Sequence, residues 1–508
     1  SSRPGRPLGA SQPPAPTPGM ERLARSRSWS PRREVHLSLL PEFDRQTQSF
    51  AGPAQQNLEE SRVFGGIERR VRPDPPGPEE VSRLVQFSLA FQRRHEGQRP
   101  FVVAFVNSKS GGQTGRLLME TLAEHIGEPP RAFAGSVCDL SRGEEPRDTL
   151  ADLARNHLGS SPRLLVCGGD GTVTWILTEL EGCPEMRGRT VPVAVLPLGT
   201  GNDLARSLGW GGQFRRRRDL LRFLQWVARG TPVLLDQWEL VLRPHGPLPP
   251  DHKLLAELGS HPRPVTDPET GTQLLAELEE ALPPGSGLCS EVYVGLWQNY
   301  FEIGAGARVV TYVDSMRNNS CFGRCLFRWG LGKLAYARSM LRFLCQRRVT
   351  DSVACLRVAG SEASELQALD PPLQETRFHG SLGAAREVVF ANINSFVGGK
   401  AGDFLPGGAS PADGRVELLL WRNAAAAVGT ALGCVRPARL ASAARAALRL
   451  SEGQFMEVDG EPWRMPSACD VLVRHHRRVE VLRAPPEAPH WSGRVRASFW
   501  VREPLGSR

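Results

Sequence analysis

The sequence has no long apolar run. Nothing in its 508 residues approaches the ~18 to 20 consecutive apolar side chains that a membrane-spanning helix needs. The longest candidate, Ala424 to Val435, is short and rich in alanine and glycine. The absence predicts a protein that is soluble or attached peripherally to a membrane.

Regular cysteine spacing is also absent. The ten cysteines are irregularly placed, and the nearest pair, Cys321 and Cys325, lacks the spacing of a zinc ribbon. This argues against a disulfide framework and against a structural zinc site. Free thiols in a reducing compartment, and hence a cytoplasmic location, are the simple expectation.

An excess of acidic residues is missing too, since 63 Lys and Arg against 54 Asp and Glu give a formal net charge of +9. Part of the excess lies in Arg215 to Arg218 and in the arginines between Arg22 and Arg33. No aromatic platform or recognition motif accompanies these charges, which argues against nucleic-acid binding. Such a charge run is usually only a solvated face; its alternative role is to hold the chain on anionic lipids, where basic patches contribute about 1 kcal/mol per residue. The sequence carries no signal for an oligomeric state.

The chain is too long for a single ordinary core, so two folded domains with tails are expected. Residues 1–78 are rich in Pro, Gly, Ser and Arg and are predicted to be disordered. Short alternating strands after residue 290 predict a β-rich domain, with helices at about 325–345 and 436–448. The predicted order is a leading helix at 79–98, an α/β domain at 99–235, a β-rich domain at 236–485 with an insertion at 244–290, and a C-terminal tail at 486–508.

The most informative motif is Gly168-Gly-Asp-Gly-Thr172, which lies between an apolar strand and a helix from Val173 to Leu180. Glycines let the backbone approach a polyanion, and a helix start offers unpaired N–H groups to phosphate. Asp170 would repel phosphate in such a turn unless it handles a metal ion or a proton. The alternative is a tight turn in which Asp170 is only a helix N-cap.

Two more strand–turn–helix units support the phosphate interpretation. The strand Phe101 to Val106 leads into Asn107 to Gly115, and Val191 to Leu196 leads into Pro197 to Asp203. The first loop is not a Walker A motif, because no Gly-Lys-Ser/Thr closes it. Three such units predict three loops on the carboxyl edge of one parallel sheet, where open α/β sheets bind ligands.

These three loops resemble the nucleotide-site motifs of the diacylglycerol kinase catalytic domain. That family transfers the γ-phosphate of ATP to the hydroxyl of diacylglycerol and forms phosphatidic acid. Later segments resemble landmarks of the family's accessory domain, in the same order: Asn299 to Gly304, Asn392 to Gly399, Asp413-Gly414 and Val458 to Trp463.

The resemblance covers about residues 99–485. It implies an N-terminal nucleotide-binding α/β domain of the phosphofructokinase and NAD kinase type, a β-rich accessory domain, and an active site in the cleft between them. It also implies ATP and Mg²⁺ as cofactors and diacylglycerol at a membrane surface as the lipid substrate.

Several groups are expected to hold the nucleotide phosphates. They are small, hydroxyl or cationic residues of the three loops: Asn107, Ser108, Lys109, Ser110, Gly111, Gly168, Gly169, Gly171, Thr172, Thr200, Asn202 and Asp203. Capping of a helix is the alternative role for Asn202 and Asp203. In bacterial relatives a metal-holding turn corresponds to Ser410, Asp413 and the carbonyl of Arg415; a plain turn is the alternative there.

An alcohol must lose its proton as it attacks phosphorus, so the site needs a base. Gly460 permits a bend that projects the carboxylates of Asp459 and Glu461, and the resemblance makes Glu461 the base. In related lipid kinases the residue equivalent to Asp170 is argued to be the base. We assign Asp170 to magnesium and phosphate geometry. A surface β-turn is the alternative for Asp459-Gly-Glu461.

Two departures from the family pattern stand out. The family commonly has Asp where this chain has Gly306, and Asn-Lys where it has Gly332-Lys333. Loss of an acceptor near the interdomain site predicts weaker substrate positioning, which leaves open a catalytically impaired, lipid-binding regulatory homologue. The alternative enzyme is a sphingosine or ceramide kinase, although those usually carry Ser-Gly-Asp-Gly in place of Gly168 to Gly171.

Overall fold

The structure is a computed structural model that describes residues 99–488 with internal gaps, and all described residues fall within one compact unit. The gaps are 109–113, 142–145, 215–218, 256–260, 284, 286–288, 320–338, 340–352, 361–364, 369–376, 379–380, 383–384, 397–404, 406–408, 422–425, 427–429 and 431–434. The predicted tail at 1–78, the leading helix at 79–98, the helix at about 325–345, both arginine clusters, and Lys109, Ser110 and Gly111 lie outside the described residues. Among the described residues, no helix combines the length and the apolar character needed to cross a bilayer.

Apolar strands alternate with amphipathic helices in the first part of the chain, and this alternation produces a parallel sheet covered by helices. The strands lie in the order β4-β3-β1-β2 and all pair in parallel. The elements are β1 Phe101–Val106, α1 Thr114–His125, β2 Ala134–Asp139, α2 Pro146–Asn156, β3 Arg163–Gly168, α3 Asp170–Gly182, β4 Val193–Pro197, α4 Asp203–Ser207 and α5 Leu220–Arg229.

The remainder of the described chain is mostly strand. Its elements are β5 Thr231–Pro244, β6 Arg263–Pro264, α6 Pro268–Ala281, β7 Tyr293–Trp297, β8 Tyr300–Gly304, α7 Ala305–Asn319, β9 Val353–Ala359, β10 Gln367–Ala368, β11 Arg377–Phe378, β12 Ser381–Leu382, β13 Glu387–Ala391, β14 Val416–Trp421, β15 Ala438–Ala443, β16 Arg445–Leu450, β17 Phe455–Val458, β18 Glu461–Arg464 and β19 Cys469–Arg483. The predicted fold class, an α/β part followed by a β-rich part, is confirmed.

The last strand joins the two parts. β19 pairs antiparallel with β5 along its length, and Val481 also pairs with Val193 of β4 in parallel. Within the described residues, one eleven-stranded sheet therefore runs from β10 through β9, β16, β19 and β4 to β2. A six-stranded sheet, in the order β15-β14-β13-β8-β17-β18, belongs to the β-rich part.

Four apolar clusters hold the described layers together, and three of them lie in or between the two parts named above. The first fills the α/β part and includes Val481 and Leu482 from β19. The second lies between the two sheets and contains Trp238 and Trp297 from one and Phe301 from the other. The third packs α7 on the opposite face of the six-stranded sheet. The β-rich part is therefore a sandwich with a helix on its outer face.

The predicted helix at 436–448 is wrong, because the chain there forms β15 and β16. Ala446, Leu448 and Leu450 alternate along β16 and are buried between the sheets, while the strand pairs with β9 and β19. Alanine and arginine favour helix locally, but burial of alternate residues between two sheets outweighs a preference of less than about 1 kcal/mol per residue. Residues of the predicted insertion at 244–290 pack on the large sheet through Leu274 and Leu278 of α6.

Candidate active site

Three turns meet at the carboxyl edge of the parallel sheet, as the sequence predicts. β1, β3 and β4 are adjacent, and their ends are in register: Val106 pairs with Cys167, and Gly168 pairs with Pro197. The turns after β3 and β4 touch closely. A Cβ added to Gly199 would lie 2.6 Å from the Cα of Gly169, so glycine is required at this approach.

The turn after β1 is held against its neighbours. The Asn107 amide donates to the Cys167 carbonyl at 3.1 Å, and the Ser141 hydroxyl donates to the Asn107 side-chain oxygen at 3.3 Å. A Cβ on Gly115 would lie 2.6 Å from the Cα of Ser108. Asn107 and Ser108 therefore lie beside the Gly168 turn, at the start of the predicted phosphate loop.

The start of α3 has the properties of a phosphate site. Its N-cap is Gly169, which contributes no side-chain hydrogen bond. The amides of Thr172 and Val173 donate to the Gly169 carbonyl, whereas those of Asp170 and Gly171 have no acceptor among the described residues. Unpaired amides at the N-terminus of a 13-residue helix fit the phosphates of a nucleotide.

Asp170 links two helices. Its Oδ2 accepts the Asp203 amide and its Oδ1 accepts the Leu204 amide, each at 3.0 Å. Asp170 therefore caps the start of α4, whereas its own helix has Gly169 as the N-cap. Each carboxylate oxygen keeps a further lone pair, so these contacts leave Asp170 able to bind a cation or a proton.

The surroundings of Asp170 suit a magnesium ion bound mainly by phosphates. Burial raises the pKa of Asp170, while the Leu204 and Asp203 amides, the Asn299 side chain and the charge of Arg206 oppose that rise. Among the described residues, no cluster of three or more His, Cys, Asp or Glu is arranged to hold a metal ion. Mg²⁺ on a nucleotide commonly uses only one or two carboxylates, and Asp170 fits that role.

The side chains of the loop after β4 are of two kinds: some are exposed to solvent, and others form hydrogen bonds that fix the shape of the loop. Thr200 is exposed. Asn202 is 1% exposed; its Oδ1 accepts the Gly199 amide at 2.9 Å, and its Nδ2 donates to the carbonyls of Gly199 and Gly212. Asn202 thus shapes the loop, while Thr200 is accessible to a phosphate. Their predicted nucleotide contacts stay predictions.

Asp203 connects the α/β part to the β-rich part. It is fully buried; its Oδ1 accepts the Ser395 hydroxyl at 2.5 Å, and its Oδ2 accepts the Tyr300 hydroxyl at 3.3 Å. Both partners come from the later segments quoted above for their family resemblance. The carboxylate of Asp203 therefore joins three of the motifs identified in the sequence.

Asp459 makes a second connection. It occupies the turn between β17 and β18 with a φ of +48°, which aspartate tolerates better than most residues. Its Oδ1 accepts the amides of Asn299 at 2.9 Å and Tyr300 at 3.1 Å. Its Oδ2 accepts the Gln298 amide at 3.0 Å and the Thr174 hydroxyl at 2.9 Å.

These contacts assign Asp459 a structural task. Four donors use the lone pairs of its carboxylate, and one donor is Thr174 of α3, one turn after Asp170. Burial raises the pKa of Asp459 to about 7, and the charge of Asp170 contributes to the rise. A buried carboxylate with four donors holds segments together, so the catalytic role predicted for Asp459 stays a prediction.

Glu461 differs from Asp459 in its hydrogen bonding and its burial. It begins β18 after Gly460, which has a φ of +90°, and it is half-buried. In the part of the chain that the structure describes, no hydrogen bond or ion pair engages its carboxylate. Burial raises its pKa; the charges of Lys253 and Arg317 lower it, and that of Asp314 raises it. No contact among the described residues joins its carboxylate to the turns after β1, β3 and β4, so its role as the general base stays a prediction.

The predicted metal turn is closed on itself. The Ser410 amide donates to Asp413 Oδ2 at 3.3 Å, and the Arg415 amide donates to Asp413 Oδ1 at 3.0 Å. Between these two residues, the Gly414 amide donates to Asp236 Oδ2 at 2.6 Å. This geometry is that of an aspartate-stabilised turn, and the metal role of Ser410, Asp413 and Arg415 stays a prediction.

The sequence reasoning missed four residues that connect the two parts: Thr174, Gln298, Tyr300 and Ser395. Three of them lie in or beside segments quoted for their family resemblance, but nothing in one sequence shows which side chains of those segments meet. Thr174 carries a weak signal, because it lies four residues after Asp170 and thus on the same helix face.

Comparison with known proteins agrees with this arrangement. The family model "Diacylglycerol kinase catalytic domain" matches residues 101–227, and "Diacylglycerol kinase accessory domain" matches residues 296–462. The two matches together span more than half of the chain and follow the order of the two parts of the fold.

Two relatives and one solved structure illustrate the extent of the similarity. The chain is 31% identical over 394 residues to diacylglycerol kinase iota of Homo sapiens. The aligned region covers 75% of this chain and 31% of that protein. It is 28% identical over 430 residues to diacylglycerol kinase 4 of Arabidopsis thaliana, covering 76% and 80%. A crystal structure titled as a diacylglycerol kinase from Bacillus anthracis str. Sterne aligns with 13% identity and a TM-score of 0.38, covering 76% and 97%.

The chain spans about a third of the length of the first animal relatives it matches. Both family models match in the expected order, and the motif residues of both parts meet around Asp203 and Asp459. The chain belongs to the diacylglycerol kinase family.

Proposed function

We propose that this protein is an ATP- and Mg²⁺-dependent kinase that transfers the γ-phosphate of ATP to the free hydroxyl of 1,2-diacylglycerol, forming phosphatidic acid. One observation carries the proposal. Asp170 and Asp203, which follow the phosphate-type turns, are joined through hydrogen bonds to Tyr300, Ser395 and Asp459 of the β-rich part. Such a junction would hold the two parts in a fixed relative position, and transfer of a group between two bound substrates depends on their positioning.

The nucleotide would bind at the carboxyl edge of the parallel sheet. The unpaired amides of Asp170 and Gly171 and the exposed hydroxyl of Thr200 would contact its phosphates, with Asn107 and Ser108 beside them. Asp170 would hold Mg²⁺, which when bound neutralises the charge that develops on the transferred group.

The lipid hydroxyl needs a base, and we propose Glu461. Its carboxylate has no partner among the described residues and a raised pKa, so it can accept the hydroxyl proton as the oxygen–phosphorus bond forms and ADP leaves. Asp459 would fix the backbone that precedes Glu461. Asp170 is the alternative base, because its lone pairs are only partly used.

We further propose that the protein acts in the cytoplasm, peripherally on membranes, because diacylglycerol is confined to a bilayer. The arginine-rich segments at 22–33 and 215–218 would contact anionic lipids there. Loss of vesicle binding at high salt would support this electrostatic attachment, whereas salt-independent binding would contradict it.

A mixed-micelle assay with γ-labelled ATP tests the proposed reaction. Diacylglycerol, ceramide and sphingosine are presented separately, with and without Mg²⁺. We expect label only in phosphatidate, and only with Mg²⁺. Label in ceramide phosphate or sphingosine phosphate, with none in phosphatidate, would overturn the substrate assignment. Nucleotide binding without turnover of any lipid would favour the regulatory homologue suggested by Gly306.

A further inference from the structure

Three glutamates lie side by side on one face of the six-stranded sheet. Glu302 of β8 is directly opposite Glu457 of β17, and Glu387 of β13 is paired with Gly304, two residues along from Glu302. Residues that are opposite or two apart share a face, so the three side chains are neighbours. Each glutamate is at most 1% exposed.

Glu302 and Glu387 form an acid pair that lacks donors. Both oxygens of each side chain have no hydrogen-bond donor of normal geometry among the described residues. The amides of Gly306 and Ala307, at the start of α7, face the pair closely enough to lower its pKa values, but burial outweighs them and raises both. Two adjacent buried carboxyl groups do not both ionise, so one of them keeps a proton that the other can accept, an arrangement also seen at catalytic carboxylate pairs.

Gly306 leaves the space that Glu302 fills. β8 passes into α7 at Gly304, whose φ of +116° folds the helix start back over the strand. A Cβ built on Gly306 would overlap Oε1 of Glu302 and lie 2.6 Å from its Cδ and 3.0 Å from Oε1 of Glu387. The carboxyl group of Glu302 therefore occupies the volume that a side chain at position 306 would take.

The acid pair borders the candidate active site. Tyr300 precedes Glu302 by two residues on the same strand face, and its hydroxyl donates to Asp203 at 3.3 Å. Burial raises the pKa of Tyr300, and the charges of Asp203, Glu457, Asp170 and Glu302 raise it further. Glu302 thus belongs to the same group of charges, centred on Tyr300, as the aspartates of the phosphate-binding turns.

We propose that Glu302 is a positioning residue of the active site. Its carboxyl group, carried by β8, takes the place of the aspartate side chain that the family commonly has at position 306. It acts through Tyr300 and Asp203, and Glu387 keeps it in the interior by sharing a proton. The acidic side chain has then moved from position 306 to position 302, and the glycine at 306 does not imply a loss of function. This inference rests on the proposed kinase function.

Reciprocal exchange tests the inference in the full chain. Gly306→Asp adds a third carboxyl group to a filled space. We therefore expect the rate of phosphatidate formation to fall at least ~100-fold and the Tm to decrease. Glu302→Ala should lower kcat by about 10- to 100-fold and leave the KM for ATP within about threefold. The double variant should recover to within about tenfold of wild-type kcat, because the new carboxyl group fills the vacated space.

A conservative pair keeps the test decisive if the exchange variants fold poorly. Glu302→Gln removes the acid and keeps the shape, whereas Glu387→Gln gives Glu302 an amide donor. We expect kcat to fall about tenfold or more in Glu302→Gln and by a smaller factor in Glu387→Gln, because the new amide replaces the shared proton as the donor to Glu302. Wild-type kcat in both glutamine variants, or a double exchange no better than its worse single variant, would overturn the inference alone. A wild type that labels no lipid would overturn it together with the proposed function.

Discussion

Thr174→Val is the perturbation that most directly probes the junction between the two parts. Thr174 is 1% exposed; its hydroxyl donates to Asp459 at 2.9 Å and accepts from the Gln298 side-chain amide at 2.8 Å. Valine keeps the shape and removes both bonds, together with the 3.2 Å contact between the hydroxyl and the Asp170 carbonyl of the same helix. Each buried group left unsatisfied costs about 1–3 kcal/mol, so we expect the free energy of unfolding to fall by about 2–4 kcal/mol.

The same variant should slow the reaction. Asp170 lies one helical turn before Thr174, so loosening of α3 against Asp459 displaces Asp170 relative to the bound phosphates. We expect kcat for phosphatidate formation to fall by about 10- to 100-fold, because small displacements of positioned groups commonly cause losses of this size. Urea unfolding followed by tryptophan fluorescence gives the stability, and the mixed-micelle assay gives kcat.

Thr178→Val is the matched control. Thr178 lies one turn later on α3, and the one partner of its hydroxyl among the described residues is the Thr174 carbonyl of the same helix, at 2.9 Å. Its replacement should cost less than about 1 kcal/mol and leave kcat unchanged. If the two valine variants have the same stability and the same kcat, the hydrogen bonds across the junction do not contribute as argued.

Three further predictions concern single carboxylates. Glu461→Gln should lower kcat at least ~100-fold with little change in the KM for ATP; weaker ATP affinity at preserved turnover would make Glu461 an orienting group. Burial raises the pKa of Asp459 from 3.8 to about 7, so the stability linked to its proton is present below pH 3.8 and is lost as pH rises through about 7. Asp459→Asn should flatten the pH dependence of the urea midpoint between about pH 4 and 7, and an unchanged slope would contradict the assignment. Asp413→Asn should shift the Mg²⁺ dependence of turnover if its turn holds a metal, whereas an unchanged dependence would make it a plain turn.

The phosphate side of the site is visible in the sequence because its signals are local. Gly168 to Thr172 and Pro197 to Asp203 each combine a strand, a glycine turn and a helix within about a dozen residues. Adjacent parallel strands then bring the turns together without further information. The contact between Gly169 and Gly199 follows from that arrangement.

The junction is not visible in this way, because it depends on contacts between distant residues. Thr174 and Asp459 are 285 positions apart, and Ser395 and Asp203 are 192 apart. The helix predicted at 436–448 failed for a related reason, since the pairing of β16 with two strands decides its structure. Gly306 likewise has no interpretation until the Glu302 side chain is found beside it.

The rate of phosphatidate formation by Asp170→Asn, at saturating ATP and Mg²⁺, tests the central claim most directly. Asp152→Asn, at a side chain that is 62% exposed on α2, serves as the control, and circular dichroism verifies the fold. We predict a fall of at least ~100-fold for Asp170→Asn, with nucleotide binding retained and wild-type turnover in the control. Turnover near the wild-type rate in Asp170→Asn would mean that this carboxylate only caps α4, and would contradict the account of the site.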